Sequence, residues 1–126
     1  MKTIVIGAGA MGSLFGGRLA MAGYDVTMVA VSSVTINTIN QNGIILDDES
    51  GRHVIPVAAK RAEEIQEEAD FIILFTKTLS SRSALKSAEH FIGEKTHILT
   101  LQNGLGNIEL ISEFVNTDRI IAGVTN

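Results

Sequence analysis

Three places in this chain hold residues whose type and spacing could do chemistry. The first is Gly7-Ala8-Gly9-Ala10-Met11-Gly12, a GxGxxG turn that follows an apolar run and leads into a helical pattern. Each glycine has a physical use: Gly7 for a sharp turn out of a strand, Gly9 for close approach of backbone to a pyrophosphate, Gly12 for tight packing of helix on strand. The helix start then offers unpaired N–H groups and the positive end of a dipole to a phosphate. The second place is Thr76-Lys77, directly after the continuous apolar run Phe71 to Phe75. An ammonium there could neutralise a cofactor phosphate or a substrate carboxylate, because open α/β sheets bind ligands just beyond the carboxyl ends of their strands. The third is Asn103-Gly104, after the run Ile98 to Leu101. Its amide can donate and accept, which suits a ribose hydroxyl, a carboxamide or a ketone oxygen, although Asn-Gly also serves as a plain tight turn.

Positioning these groups requires alternating strands and helices. A strand at Lys2 to Ile6 feeds the glycine turn, a helix runs on through Ser13 to Ala22, and Gly23 stands where a C-terminal capping glycine belongs. Tyr24 to Val29 reads as the second strand. A ribose-binding acid is expected about 20 positions beyond the glycines in NAD-binding domains, and a basic residue nearby in NADP-binding ones. Here stand Ala30-Val31-Ser32-Ser33, neither acid nor base. Lack of a carboxylate removes a repulsion against a 2′-phosphate and favours NADP. Ser32 and Ser33 could donate to that phosphate; equally, one of them could simply cap the next helix, at Val34 to Gln41.

The alternation is then interrupted. Ile44 to Leu46 and Arg52 to Val57 read as two short strands around the charged turn Asp47 to Gly51, an inserted hairpin near residues 44–57, with Pro56 marking an edge or the end of pairing. Its acidic tip lacks the spacing of a calcium loop, and His53 reads as a solvated side chain. Ala62 to Ala69 reads as a short, acidic, exposed helix. Phe71 to Thr76 is the strand expected across the switch point, followed by a helix at Ser81 to Phe91, a strand at Thr96 to Leu101, a helix at Ile108 to Phe114 and a further strand from Arg119. His90 and His97 fall away from the ligand edge. The fold class is therefore α/β, a Rossmann-type doubly wound, mostly parallel sheet.

Composition narrows the function classes. With 126 residues there is room for one domain, 1–126, and the absence of cysteine rules out disulfides and thiolate metal sites. No metal site is expected. A net charge of −4 provides no basic footprint for nucleic acid, and the apolar runs are too short to span a membrane. A cytoplasmic location is the default expectation, since the lack of cysteine fits a reducing compartment and the N-terminus reads as a strand and glycine turn rather than an export signal.

Taken together, the glycine turn, Asn42-Gly43-Ile44, Phe75-Thr76-Lys77-Thr78, Leu101 to Asn107 and Ala122-Gly123-Val124-Thr125 resemble the ketopantoate reductase (2-dehydropantoate 2-reductase) family along the whole chain. The resemblance implies an N-terminal NADPH-binding domain, followed by a helical domain that completes the active site for reducing a 2-keto acid. It implies that Gly7, Ala8, Gly9, Ala10, Met11 and Gly12 hold the pyrophosphate. It further implies that Thr76 and Lys77 lie near the cofactor, and that Asn103, beside Gly104, contacts cofactor and substrate. Two departures accompany it. The family commonly has an arginine at the end of the second strand, where Val31 and Ser32 stand, so NAD remains open beside NADP. The family's proton-donating lysine and supporting glutamate belong to the helical domain, which is absent from these 126 residues, so the chain alone is expected to bind a dinucleotide with little turnover. An apolar surface near Val124 makes a homodimer a further expectation. Two other readings stay open: a regulatory nucleotide-sensing module, and a related NAD(P)-dependent hydroxy-acid or polyol-phosphate dehydrogenase.

Overall fold

Runs of β-branched and aliphatic residues form the strands, and segments with apolar residues at helical spacing form the helices. The computed structural model describes residues 1–75, 78–100 and 105–122. In chain order they are β1 (Lys2–Ile6), α1 (Ala10–Met21), β2 (Asp25–Val29), α2 (Ser33–Asn42), β3 (Ile44–Asp48), β4 (Gly51–Ile55), β5 (Ala58–Lys60), β6 (Ala69–Leu74), α3 (Thr78–Ala88), β7 (Ile92–Thr100), α4 (Leu105–Ile111) and β8 (Ile120–Ala122).

Among the described residues, six strands form one sheet in the order β5-β2-β1-β6-β7-β8, with every pairing in it parallel. The chain moves outward from β1 to β2 and β5, then returns to the other side of β1 with β6. That reversal is the switch point of a Rossmann-like doubly wound sheet, beside which ligands bind. Among the described residues β3 and β4 pair only with each other, as the inserted antiparallel hairpin, with Ile45 opposite Val54 and Leu46 opposite His53.

Side-chain alternation along the central strands divides the core between the two sheet faces. Ile4, Ile6, Ile72, Leu74 and Ile98 pack with Leu85, Phe91 and Ile111 from the α3 and α4 side. Val5, Met28 and Ile73 pack with Ile36 and Ile39 of α2 and with Ile44, Leu46 and Ile55 of the hairpin. Helix α1 lies on this second face and comes close because its buried residues are Gly12, Gly16 and Gly17. A Cβ on Gly17 would meet Ile44 and Leu46 at 3.0 Å, so the hairpin is seated directly on α1. Among the described residues, no helix is long and apolar enough to cross a membrane.

The segment between hairpin and β6 departs from the sequence expectation. Pro56 has no N–H to donate, so the hairpin ladder stops at Ile55, and the chain re-enters the main sheet as the edge strand β5. The helix expected at Ala62 to Ala69 is only a 3₁₀ turn, Ala62–Glu64. Buried Ile65 adopts extended backbone and is drawn into the core, while His90 Nε2 lies 3.0 Å from its carbonyl oxygen. A segment with so few apolar positions has too little packing to sustain a helix. Glu63, Glu64, Glu67 and Glu68 are exposed, as expected.

His53 also differs from a simply solvated side chain. The Asp48 carboxylate accepts from the Ser50 N–H at 2.9 Å and the Ser50 hydroxyl at 2.7 Å, with His53 Nε2 at 3.0 Å. These contacts, the Ser50 hydroxyl first and His53 next, hold the Asp48 carboxyl well below the usual carboxylate range. Arg18 of α1 completes the cluster with a 3.3 Å ion pair to Asp48, tying the charged tip to the helix beneath it.

Candidate functional site

The glycine turn stands at the carboxyl end of β1, the central strand. Gly7 has φ +106°, a left-handed conformation that disfavours other residues, and its N–H donates to the Val29 carbonyl at 3.0 Å. A Cβ on Gly12 would run into the carbonyl oxygen of Gly7, so only glycine lets α1 leave the strand at this angle. Phe75 backs the turn: its N–H donates to the Ile6 carbonyl at 2.9 Å, and its ring stands 5.4 Å from that of Phe15. Gly9 is the opposite case. It is the N-cap of α1, and among the described residues a Cβ built there meets nothing within 4 Å apart from its chain neighbours and its own helix backbone. The first α-helical bond runs from Ser13 N–H to Gly9 C=O at 2.9 Å, so the preceding N–H groups face the open helix end. Backbone donors, a helix dipole and empty space together fit a phosphate-bearing group.

From this turn a cleft of about 720 Å³ extends along the carboxyl ends of β1 and β2. Gly7, Ala8 and Gly9 line one end; Val31, Ser32 and Thr35 line the other, beside Arg61 and Glu63; Ser83 and Ser87 of α3 contribute a side wall. Of the residues singled out in the sequence, the cleft therefore gathers Gly7, Ala8, Gly9, Val31 and Ser32. Ala10 and Met11 stand exposed on the first turn of α1, outside the lining, and Gly12 is buried against the strand. Thr76, Lys77, Asn103 and Gly104 lie outside the described residues, as does Val124.

Ser32 resolves one of the open alternatives at the end of β2. Its hydroxyl accepts from the Thr35 N–H at 3.3 Å and caps α2. Val31 is 85 % exposed and makes an apolar lip to the cleft. Sequence reasoning missed Arg61 altogether, because it lies 28 residues beyond Ser33, to whose Oγ its Nη2 donates at 2.7 Å. The only local signal is the Lys60-Arg61 pair after a short apolar run, which composition does not distinguish from a solvated surface. Among the described residues, no group of three or more histidines, aspartates or glutamates is gathered to hold a metal ion.

Comparison with known proteins agrees with this geometry. The family model for ketopantoate reductase PanE/ApbA matches residues 3–126. A 2-dehydropantoate 2-reductase from Pyrococcus abyssi is 40 % identical over 125 residues, which cover 99 % of this chain and 40 % of that protein. Among solved structures, one from Enterococcus faecalis, provisionally named a 2-dehydropantoate 2-reductase, superposes with a TM-score of 0.91 at 35 % identity, covering 98 % of this chain and 41 % of that one. D-mandelate dehydrogenase in a ternary structure with NADH and anilino(oxo)acetate superposes at 0.90 with 29 % identity, over 98 % of this chain and 40 % of that one. The chain thus spans 40–41 % of the length of these relatives. With that family model matching residues 3–126, the chain belongs to the ketopantoate reductase PanE/ApbA family.

Proposed function

We propose that this chain is the NADP(H)-binding part of an enzyme that reduces a 2-keto acid to the 2-hydroxy acid, ketopantoate to pantoate, on the route to pantothenate and coenzyme A. The observation that carries the reading is the open glycine turn at the switch point, at the head of a cleft that runs to the ribose corner at the end of β2. When bound, the nicotinamide supplies the hydride. The chain's own residues bind and orient it: the N–H groups after Gly9 face the pyrophosphate, and the cleft wall takes the adenosine half. In the same proposal Lys77 neutralises charge at the end of β6, and Asn103 makes the polar contact to cofactor and substrate at the end of β7. A cytoplasmic setting and a homodimer belong to this reading too.

Reduction develops negative charge on the ketone oxygen, so a proton donor must stand beside it. The described cleft lining contains no histidine or lysine. The family resemblance assigns the donor to a helical domain, and the 126-residue chain is expected to bind cofactor with little turnover. Fluorescence titration with NADPH, NADH and their oxidised forms tests binding, and a ketopantoate assay tests turnover. Failure to bind any of the four removes the proposal, and turnover comparable to a two-domain relative removes the division of labour. The likeness to D-mandelate dehydrogenase favours a second reading, a different 2-hydroxy acid as product. Joining the chain to the helical part of a relative and assaying ketopantoate against an aryl 2-keto acid separates the two.

A further inference from the structure

We propose that Arg61 reads the 2′-phosphate of the dinucleotide, standing in from the neighbouring edge strand for the cation that the end of β2 lacks. The inference rests on the dinucleotide reading above and names the residue that gives it NADP(H) preference.

The placement follows from strand register. β5 pairs in parallel with β2, Val29 opposite Lys60, and the Ala30 N–H donates to the Lys60 carbonyl at 3.2 Å. The next residue, Arg61, therefore comes level with Ala30, one residue before Val31 and Ser32 at the ribose end of the cleft. Its side chain is directed there: Nη2 donates to Ser33 Oγ at 2.7 Å, and Arg61 shares the cleft wall with Val31, Ser32 and Thr35. A guanidinium carries five N–H donors in a fork that matches phosphate oxygens, and the Ser33 bond engages one of them.

The backbone under Arg61 is fixed twice. Its N–H donates to Glu64 Oε1 at 2.9 Å. One residue before Lys60, Ala59 exchanges two bonds with the Asn40 side chain of α2, donating at 2.8 Å and accepting at 2.9 Å. The side chain is exposed, so a ligand phosphate can reach it. The first turn of α2 adds backbone N–H groups and the positive end of its dipole on the same side. Glu63 is the opposing group, a carboxylate on the same wall. A ribose hydroxyl would suit it and a phosphate would not, so the balance between Arg61 and Glu63 sets the preference.

The test is titration of the 126-residue chain with NADPH and NADH, using wild type, R61A, R61K and E63Q. R61A is expected to weaken NADPH about ten- to a hundredfold, with NADH unchanged within about twofold, since a charge-assisted phosphate contact is worth that range. R61K should recover part of the loss, and E63Q should tighten NADPH alone. The NADPH advantage of the wild type should shrink as salt rises. Equal losses for both cofactors in R61A would assign Arg61 to the adenine or the common ribose, and no loss for either would remove it from the site; each result overturns the proposal. A wild-type chain that binds neither cofactor overturns the dinucleotide reading itself, which separates that failure from the failure of Arg61.

Discussion

At one end of the cleft, Gly7 to Gly12 offer backbone N–H groups and empty space; at the other, Arg61 and Ser33 offer side chains carried in from elements 28 residues apart. The two ends suit different parts of one ligand. Backbone donors at a helix start recognise any phosphate and give affinity without discrimination. A guanidinium one strand over, on the proposal above, recognises a particular phosphate and so discriminates between otherwise identical dinucleotides. The glycine end depends on what is missing from its side chains, whereas the arginine end depends on where the sheet puts one.

Breaking the glycine end should have the largest effect. Gly12→Val drives a side chain into the Gly7 carbonyl, and the loss of stability is expected to reach about 3 kcal/mol by denaturant unfolding, with dinucleotide binding abolished. Next in size is Asn40→Ala, which leaves the N–H and C=O of buried Ala59 without their side-chain partner. It should cost about 2 kcal/mol in the same experiment and weaken NADPH more than NADH, because it loosens the strand that carries Arg61. Gly9→Val sharpens the contrast, since among the described residues its Cβ meets no atom within 4 Å apart from its chain neighbours and its own helix backbone. Stability should fall by no more than about 1 kcal/mol, the cost of an apolar N-cap, while affinity for NADPH and NADH falls together, about tenfold or more. Parallel loss for both cofactors there, against selective loss in R61A, is the measurable form of the difference between the two ends.

The smallest effect should come from outside the cleft. Asp48 has its carboxyl held below the ordinary value of 3.8 in the folded chain, so the stability it contributes is present above that pH and is lost as pH falls toward the lowered folded value. Thermal midpoints should therefore decline on acidification below about pH 4, and Asp48→Asn should flatten that decline. Cofactor affinity at neutral pH should not change in Asp48→Asn, because the cluster of Asp48, Ser50, His53 and Arg18 sits on the hairpin and α1, away from the cleft lining.

Much of the fold could be read from local pattern. The apolar runs at Lys2 to Ile6 and Phe71 to Leu74 are the central strands β1 and β6, and Gly23, with φ +95°, follows the last residues of α1 as a terminating glycine should. The hairpin was legible from two short apolar segments around a charged turn. Its end was not: Pro56 signals that pairing stops, but Ala58 to Lys60 is too short and too bland to announce a strand. The acidic stretch after it has helix-forming residues, yet burial of Ile65 overrides their propensity. The absence of charge at Val31 and Ser32 was visible, and by itself it left the choice between NAD and NADP without a residue to decide it.

The sequence by itself determined the glycine turn, because a GxGxxG between strand and helix restricts backbone through contiguous residues and needs no distant partner. Gly7 and Gly12 are joined by only four residues of chain. Only the tertiary structure decided what stands beside the carboxyl end of β2. Arg61 reaches it through the β2–β5 register, the Ala30 to Lys60 bond and the Asn40 bridge, all of them contacts between segments that local periodicity treats as unrelated. A backbone site is written where it is used; a side-chain site is assembled by the sheet that brings its parts together.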